Sequence, residues 1–234
     1  MGLKPSPRQE FLEVIYDDGQ WKLLHNLREK ALELMNALEL RNIVSILYGS
    51  IARGDVNGNS DIDVFITSSS SSMEVELALD KSNIIPIRRV LVQATPNYAP
   101  KGYYEIEENV SVSMPLVKLR RNEREFYKFA GEIVIEDVKL NTRVPGVNKH
   151  LMLIEPCESG HIETSIIENE AYASKFLGIN IEIAHERVRM LLRRSKHGRT
   201  GRFIELELKS DENFESVLKR YATKYPSLRK RLEN

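Results

Sequence analysis

Two short apolar segments separated by a glycine–serine turn constrain the fold of this chain more than any other feature. Ile43–Tyr48 is apolar enough for a buried strand, and Gly49 followed by Ser50 ends it. A second strand is predicted over Asp61–Thr67, because apolar residues recur there at every second position. The sequence therefore predicts a strand, a tight turn and a second strand within about 25 residues.

Two aspartates lie on the second predicted strand. Residues two apart on a strand point to the same face, so Asp61 and Asp63 are expected to project together. Two carboxylates this close repel each other, and both remain ionised when a cation lies between them. Hard oxygen ligands suit Mg²⁺, which also keeps coordination positions for substrate phosphates. The pair is therefore a candidate metal site.

The Gly–Ser turn is a candidate phosphate-binding site. Gly49 lets the backbone approach a ligand closely, and Ser50 adds a hydroxyl donor where a short helix is expected to begin. Arg53, one turn further on, either holds the turn or reaches a phosphate. Ser60, just before Asp61, is a further nucleotide-binding candidate. Alone, each segment fits a plain turn or a solvated strand edge; together and in this order they favour a functional site.

These residues carry a resemblance to a known superfamily. The string Gly-Ser-Ile-Ala-Arg-Gly at residues 49–54, followed by Ser-Asp-Ile-Asp-Val at residues 60–64, resembles the motif of the DNA polymerase β-type nucleotidyltransferases. That superfamily includes CCA-adding enzymes and antibiotic nucleotidyltransferases. Residues 1–140 are also similar, more loosely, to small archaeal nucleotidyltransferases.

The resemblance implies a fold and a chemistry. It implies an α+β fold with a mixed sheet and flanking helices, and transfer of a nucleoside monophosphate from an NTP to a hydroxyl as pyrophosphate leaves. It implies two Mg²⁺ ions, which would clamp the attacking and leaving oxygens. Carried onto this sequence, Asp61 and Asp63 would be the catalytic metal ligands, and Gly49 and Ser50 would bind the triphosphate.

Members of the superfamily usually carry a third carboxylate on a later strand. The strand that matches it here, Val110–Pro115, offers Ser111 and Ser113 instead. Either the alignment of strands differs and Glu105 or Glu107 supplies the ligand, or the site lacks it. The period-two rule places both glutamates on one face of their strand, where a solvated strand edge is an equally good interpretation.

The second half of the chain predicts a separate module. Residues 170–177, Gly178 and residues 181–194 have the form helix, turn, helix, and an alternating strand follows at residues 203–209. This resembles a winged helix-turn-helix with residues 198–201 as the wing tip. We therefore expect a nucleotidyltransferase domain at residues 1–140, this module at residues 149–210 and a basic helical tail at residues 211–234.

The module carries a local excess of positive charge. The segment from His185 to Arg202 contains seven Lys and Arg residues and one acidic residue, Glu186. The whole chain, in contrast, has 34 Lys and Arg residues and 34 Asp and Glu residues. Such a stripe suits phosphate contacts of DNA or RNA, although a solvated helix face is the competing interpretation. The candidate nucleic-acid ligands are Arg187, Arg189, Arg193, Arg194, Lys196, Arg199 and Arg202.

The composition narrows the classes of protein to which this chain can belong. Cys157 is the only cysteine, which excludes an internal disulfide or a multi-cysteine zinc site and favours a reducing compartment. No apolar run approaches the roughly 20 residues that span a bilayer, so we expect a cytoplasmic protein without a membrane partner. The oligomeric state is not determined by the sequence.

The function predicted from the sequence is Mg²⁺-dependent nucleotidyl transfer from an NTP, with a C-terminal module that grips nucleic acid or positions a protein acceptor. Two alternatives remain open. One is a nucleic-acid-binding regulator whose nucleotidyltransferase fold has lost its chemistry. The other is an enzyme that modifies a protein or a small molecule.

Overall fold

The structure is a computed structural model that describes residues 11–67, 70–198 and 201–232. Its described strands are β1 (Leu12–Ile15), β2 (Ser45–Tyr48), β3 (Ile62–Ile66), β4 (Arg88–Gln93), β5 (Lys101–Glu107), β6 (Val110–Pro115), β7 (Glu132–Ile133), β8 (Gly146–Val147), β9 (Met152–Cys157), β10 (Gly160–Ser165) and β11 (Ile204–Glu207). Its described helices are α1 (Asp18–Glu39), α2 (Ser50–Arg53), α3 (Ser72–Lys81), α4 (Arg121–Ala130), α5 (Ile135–Lys139), α6 (Glu170–Leu177), α7 (Ile181–His197), α8 (Phe214–Ala222) and α9 (Pro226–Leu232).

The strands form two sheets. A seven-stranded sheet has the order β11-β4-β5-β6-β3-β2-β7, and a four-stranded sheet has the order β1-β10-β9-β8. The larger sheet is mixed, because β3 and β6 pair in parallel whereas β4, β5 and β6 pair antiparallel. The predicted mixed α+β class is confirmed. No helix within the described ranges is both long enough and apolar enough to cross a bilayer.

The described residues group into two compact units that are each discontinuous in sequence. The first unit draws on residues 1–29, 47–60 and 121–200, and the second on residues 30–46, 61–120 and 201–234. Consecutive segments of the chain were expected to form separate domains, and residues 141–148 were the expected boundary. In the structure these residues lie inside the first unit. Whether the expected segments fold independently stays a prediction.

The second unit contains the predicted strand of the aspartates. One face of β3, β6 and β5 carries buried residues, among them Val64, Val112 and Tyr104, which are paired across the strands. Helix α8 packs on this face, since the Phe214 ring lies 5.3 Å from the Tyr104 ring and directly over Gly102. The alternation of apolar residues on β3 thus fixes which side chains face the core, and it leaves Asp63 on the other face.

The first unit contains the helix-turn-helix. Helices α6 and α7 pack with α4 and with residues of β8 and β9 around an apolar core. Gly178 ends α6 in the left-handed conformation, and the side chain of Asn180 caps α7. The side chain of Glu125 also accepts a hydrogen bond from the backbone N–H of Asn180 at 2.8 Å. The predicted helix, glycine turn and helix are therefore confirmed.

The predicted winged helix is not confirmed, because the strand that should follow the wing pairs elsewhere. Strand β11 is half-buried, as its alternation predicted, but it pairs antiparallel with β4 of the seven-stranded sheet. A wing requires this strand to form a hairpin within the module, and β4 takes its backbone hydrogen bonds instead. Arg199 and Thr200 of the expected wing tip lie outside the described residues.

The run of serines at residues 68–72 has a structural role at its end. Ser71 caps α3 in a capping box with Glu74, and Ser72 is buried. The Ser72 hydroxyl donates to Glu215 Oε2 at 2.6 Å, and its backbone N–H donates to Glu215 Oε1 at 2.7 Å. Ser68 and Ser69 of this run lie outside the described residues. The contact of Ser72 with α8 therefore ties the start of α3 to the C-terminal helices.

Candidate functional site

The predicted Gly–Ser turn is confirmed as a strand, a glycine and a four-residue helix. Strand β2 ends at Tyr48 and α2 begins at Ser50, so Gly49 alone connects them. Its φ of 89° lies in the region that favours glycine, although a Cβ there would meet nothing within 4 Å. The Gly49 N–H donates to the carbonyl oxygen of Gly131 at 2.9 Å. The backbone conformation, rather than lack of space, therefore requires glycine at this position.

Two hydroxyl groups predicted to bind a nucleotide are neighbours in the same unit. Ser50 Oγ donates to Ser60 Oγ at 3.2 Å, and Ser60 Oγ accepts from the Asn57 N–H at 2.9 Å. Both serines are half-buried. The segment between them thus folds back so that Ser60 returns to the turn. Their role as nucleotide ligands stays a prediction.

Arg53 holds the turn. Its side chain is 4% exposed, and its Nη1 donates to the Ala130 carbonyl oxygen at 2.5 Å. It also forms an ion pair with Asp55, in which Nε lies 2.9 Å from Oδ1. The sequence left two roles open for Arg53, holding the turn or reaching a phosphate. These contacts fit the first role. Its nucleotide-binding role has no support from them.

Two further arginines brace the same turn, and the sequence reasoning missed both. Arg28 is buried and donates to the carbonyl oxygens of Ile51 and Ala52. The Arg143 side chain lies beside Gly54, where a Cβ would approach Arg143 Cδ to 2.7 Å. A signal for Arg28 was present, because its spacing places it on the buried stripe of α1 with Leu24, Ala31, Met35 and Leu38.

Arg143 is itself fixed by aromatic rings and backbone carbonyls. Its guanidinium lies 4.7 Å from the Trp21 ring and 5.8 Å from the Tyr16 ring. It donates to the carbonyl oxygens of Gly160 at 2.7 Å and of Cys157 at 2.5 Å. Three guanidinium groups and one carboxylate, that of Asp55, therefore surround the Gly49–Gly54 turn, which is a positive environment suited to an anion.

In the second unit, the two predicted metal ligands flank a buried residue at the start of β3. Asp61 immediately precedes the strand and Asp63 is its second residue, whereas Ile62 between them is buried. Both aspartates are half-buried. Ser111 of β6 is in register with Asp63, and its hydroxyl donates to Asp63 Oδ1 at 2.9 Å. The strand matched to the third carboxylate thus pairs with β3, and it has serine at the position beside Asp63.

The prediction that Glu105 and Glu107 share one face is wrong. Glu105 is in register with Ser111, but the register then shifts and Glu107 pairs with Val110. Since consecutive residues of β6 point to opposite faces, the bulge turns the two glutamates to opposite faces as well. Glu107 binds Lys30 of α1, with Nζ 2.5 Å from Oε2, and Glu105 binds Arg88 at 3.2 Å.

One family model matches this region. Residues 28–128 match the family model of the nucleotidyltransferase domain. This part of the chain is similar to nucleotidyltransferase domains. The match includes the Gly49–Gly54 turn, the aspartates of β3 and strand β6. No curated protein matches the chain.

Nucleotidyltransferase domains generally use a divalent metal and an NTP. The donor set of this domain fits one such ion, because Mg²⁺ is usually held by one or two carboxylates together with substrate phosphates. Asp61 and Asp63 would supply those carboxylates. Throughout the described residues, no group of three or more His, Cys, Asp or Glu side chains is arranged to hold a metal. A third carboxylate, from Glu105, Glu107 or elsewhere, is therefore not found beside the aspartates in the described ranges.

The basic residues predicted to bind nucleic acid lie C-terminal to the matched residues 28–128. Their surroundings differ from one residue to the next. Arg187 is not part of an exposed stripe, since its guanidinium lies 4.7 Å from the Phe126 ring. Arg202 forms an ion pair with Glu205 at 2.8 Å. Arg199 lies outside the described residues. The exposed basic side chains of α7 are Arg189, Arg193, Arg194 and Lys196.

The charge along α7 also has a structural explanation. Glu182 lies in the first turn of the helix, and Arg194 and Lys196 lie in the last turn. This order complements the helix dipole, which favours acidic groups at the N-terminus and basic groups at the C-terminus. Both interpretations of the stripe, a phosphate-binding surface and a solvated helix face, are compatible with this arrangement.

Proposed function

We propose that the chain catalyses Mg²⁺-dependent transfer of a nucleoside monophosphate from an NTP to a hydroxyl group of an acceptor. The observation that carries this proposal is the pair of aspartates at the start of β3, within the matched nucleotidyltransferase domain. Asp61 and Asp63 would hold Mg²⁺. The ion would supply charge stabilisation for the phosphates during the transfer.

The residues of the turn bind the phosphates in this proposal. The N–H groups that follow Gly49 and the hydroxyls of Ser50 and Ser60 donate hydrogen bonds to phosphate oxygens. The arginines around the turn hold its carbonyl groups and add positive charge. Because these contacts already hold the backbone of the turn, the turn loses little freedom on binding a nucleotide.

The reaction forms one bond and breaks one bond. The acceptor oxygen attacks the α-phosphorus of the NTP, and the bond from that phosphorus to the oxygen bridging to the β-phosphate breaks. Pyrophosphate leaves with the bonding electrons, and the acceptor hydroxyl loses its proton to the solvent. In this proposal the aspartates hold the cation and do not accept this proton.

The test uses NTPs labelled at the α-phosphate, Mg²⁺ and a panel of acceptors that includes RNA, DNA, proteins and small hydroxyl compounds. Asp61→Asn and Asp63→Asn keep the side-chain shape and are expected to lower transfer by at least about a hundredfold, since metal-based charge stabilisation is worth several kcal/mol. Asp211→Asn, at an exposed position of the same unit, is the matched control. Transfer that persists in both aspartate variants contradicts the proposal.

A second candidate function is NTP binding without transfer, by a regulator. It is favoured by the serine that lies beside Asp63 and by the lack of a third acidic ligand among the described residues. In the same assay, a regulator labels no acceptor, yet it binds Mg²⁺ and NTP in a manner that Asp63→Asn abolishes. If only a protein or a small molecule is labelled, and no nucleic acid, the chain is a modifying enzyme for which the basic side chains of α7 are irrelevant.

The proposed partner of α7 is nucleic acid. Arg189, Arg193 and Lys196 lie within about 60° of arc on the exposed side of the helix, given 3.6 residues per turn. A row of this kind suits successive phosphates of a DNA or RNA strand, and binding through it weakens as salt is added. In this proposal, the nucleic acid that α7 binds would be the acceptor of the nucleotidyl transfer.

A further inference from the structure

Strand β6 runs parallel to β3 and brings a hydroxyl, rather than a carboxylate, to Asp63. Ser111 and Asp63 are directly in register, and the Ser111 hydroxyl donates to Asp63 Oδ1 at 2.9 Å. The neighbours of Ser111, Val110 and Val112, are buried on the opposite face and fix this orientation. The hydrogen bond occupies one carboxylate oxygen and restricts the rotation of the Asp63 side chain.

The same row of the sheet continues to Glu105 and Arg88. Glu105 of β5 is in register with Ser111, and Arg88 of β4 is in register with Glu105. Arg88 pairs with Glu105 at 3.2 Å and with Glu207 at 3.1 Å. The Glu105 carboxylate is therefore engaged by a cation on the side away from β6. The bulge after Glu105 turns the Glu107 side chain to the other face of the sheet.

We infer that Ser111 makes this a site for a single divalent cation. The inference rests on the proposed function, because it assumes that Asp61 and Asp63 bind the cation of an NTP. A second cation beside Asp63 requires another ionised ligand, since an uncompensated charge in a half-buried position is strongly disfavoured. Ser111 provides a neutral donor at that position.

Ser111 thereby acts as a positioning residue. It orients Asp63 toward the one ion, and it leaves the acceptor hydroxyl without a metal ligand of its own. In a two-ion site, the second cation stabilises the attacking oxygen of the acceptor. The structure thus assigns to Ser111 a role in setting the number of ions. With serine at this position the site binds an NTP with one ion, and no second ion activates the acceptor.

Ser111→Asp tests this assignment, with Ser111→Asn as a neutral control of nearly the same shape. Mn²⁺, which replaces Mg²⁺ and gives an electron paramagnetic resonance signal, is titrated in the presence of a non-hydrolysable NTP analogue equimolar with the protein. The expected result is one bound Mn²⁺ for the native chain and for Ser111→Asn, and two for Ser111→Asp. Asp63→Asn is expected to abolish the protein-dependent binding.

A second readout does not depend on counting ions. Without metal, Ser111→Asp places two carboxylates next to each other, so its melting temperature is expected to fall below that of Ser111→Asn. Saturating Mn²⁺ should then raise the melting temperature of Ser111→Asp more than that of Ser111→Asn, because the added ion relieves the repulsion. This comparison also shows that the aspartate variant folds.

Two results overturn the inference. One is a native chain that binds two Mn²⁺ ions, both of which are lost in Asp63→Asn. The other is a Ser111→Asp variant that stays at one ion and gains no more stability from Mn²⁺ than Ser111→Asn does. Failure of the proposed function has a different signature, namely Mn²⁺ and nucleotide binding that is unchanged in Asp61→Asn and Asp63→Asn.

Discussion

The Arg28 guanidinium donates to the backbone carbonyl oxygen of Ile51 through both Nε, at 3.2 Å, and Nη2, at 3.1 Å. Nη2 also donates to the Ala52 carbonyl oxygen at 3.2 Å. Both carbonyl groups belong to α2, and the last carbonyls of a helix have no partner within it. Burial, followed by the charge of Arg143, lowers the pKa of Arg28 to about 10, so the side chain remains a cation at neutral pH.

Loss of this brace should destabilise the chain. Arg28→Met leaves the buried carbonyl groups without their charged donor, and we expect the free energy of unfolding to fall by about 2–4 kcal/mol. Urea denaturation followed by circular dichroism measures the difference. Lys22→Met removes an exposed cation from the same helix and should change the free energy by less than about 0.5 kcal/mol. Equal effects of the two variants would show that Arg28 does not support the turn.

The conformation of Gly49 gives a second prediction. Gly49→Ala forces a Cβ into a backbone with φ of 89°, and we expect a loss of about 1–2 kcal/mol of stability together with weaker NTP binding. Gly58→Ala is a close control, because a Cβ at either glycine meets nothing within 4 Å and Gly58 has no φ in the left-handed region. Urea denaturation and fluorescence titration with a labelled NTP measure the two effects. Similar losses for both variants would point to glycine flexibility in general.

Alkaline pH should destabilise the fold partly through Tyr103. Burial, and then the charge of Asp63, raise the pKa of Tyr103 from 10.0 to about 12. The unfolded chain therefore loses this proton first as the pH rises. The contribution of Tyr103 to stability is complete below about pH 10 and declines from there toward pH 12, because the unfolded state becomes ionised while the folded state does not.

Tyr103→Phe removes this contribution. The fall in the free energy of unfolding between pH 8 and pH 11 is expected to be smaller in Tyr103→Phe than in the native chain, as measured by urea denaturation at both values. Tyr172→Phe, at an exposed tyrosine of α6, controls for the loss of one hydroxyl. Asp63→Asn should lower the pKa of Tyr103 without returning it to 10.0, since burial is the larger cause. An undiminished fall in Tyr103→Phe would refute this assignment.

Charge reversal on α7 tests the proposed nucleic-acid surface. Arg193→Glu combined with Arg194→Glu should weaken binding of DNA or RNA and should reduce the slope of log affinity against log salt by about one for each phosphate that the helix no longer neutralises. Fluorescence anisotropy at several salt concentrations gives both quantities. Lys22→Glu combined with Lys81→Glu changes the net charge equally at exposed sites elsewhere. If both double variants bind alike, α7 is a solvated helix face.

Much of the local structure was predictable from the sequence. Strands β2 and β3, the glycine between β2 and α2, and helices α6 and α7 lie within a few residues of their predicted bounds. Each of them is specified by neighbouring residues, through apolar periodicity or a backbone angle that only glycine adopts easily. The short run at residues 11–16 could not be assigned by the same rules, and pairing with β10 makes it a strand.

The candidate functional residues divide in the same way. The aspartates of the second unit and the turn of the first unit follow from spacing along the chain, whereas the arginines that brace the turn do not. Arg28, Arg53 and Arg143 are far apart in sequence, and only packing brings their side chains around one turn. The third-ligand question likewise depended on a register between strands that are 48 residues apart at Asp63 and Ser111.

The sequence by itself determined that this chain contains a strand, a glycine-dependent turn and a second strand that begins between two aspartates, because each of these depends on contacts within a few residues. Only the tertiary structure decided that Ser111 lies beside Asp63, that a bulge separates Glu105 from Glu107, and that β11 pairs with β4 of the seven-stranded sheet. Strand partners and registers depend on which distant apolar faces are buried together, and no local pattern encodes that choice.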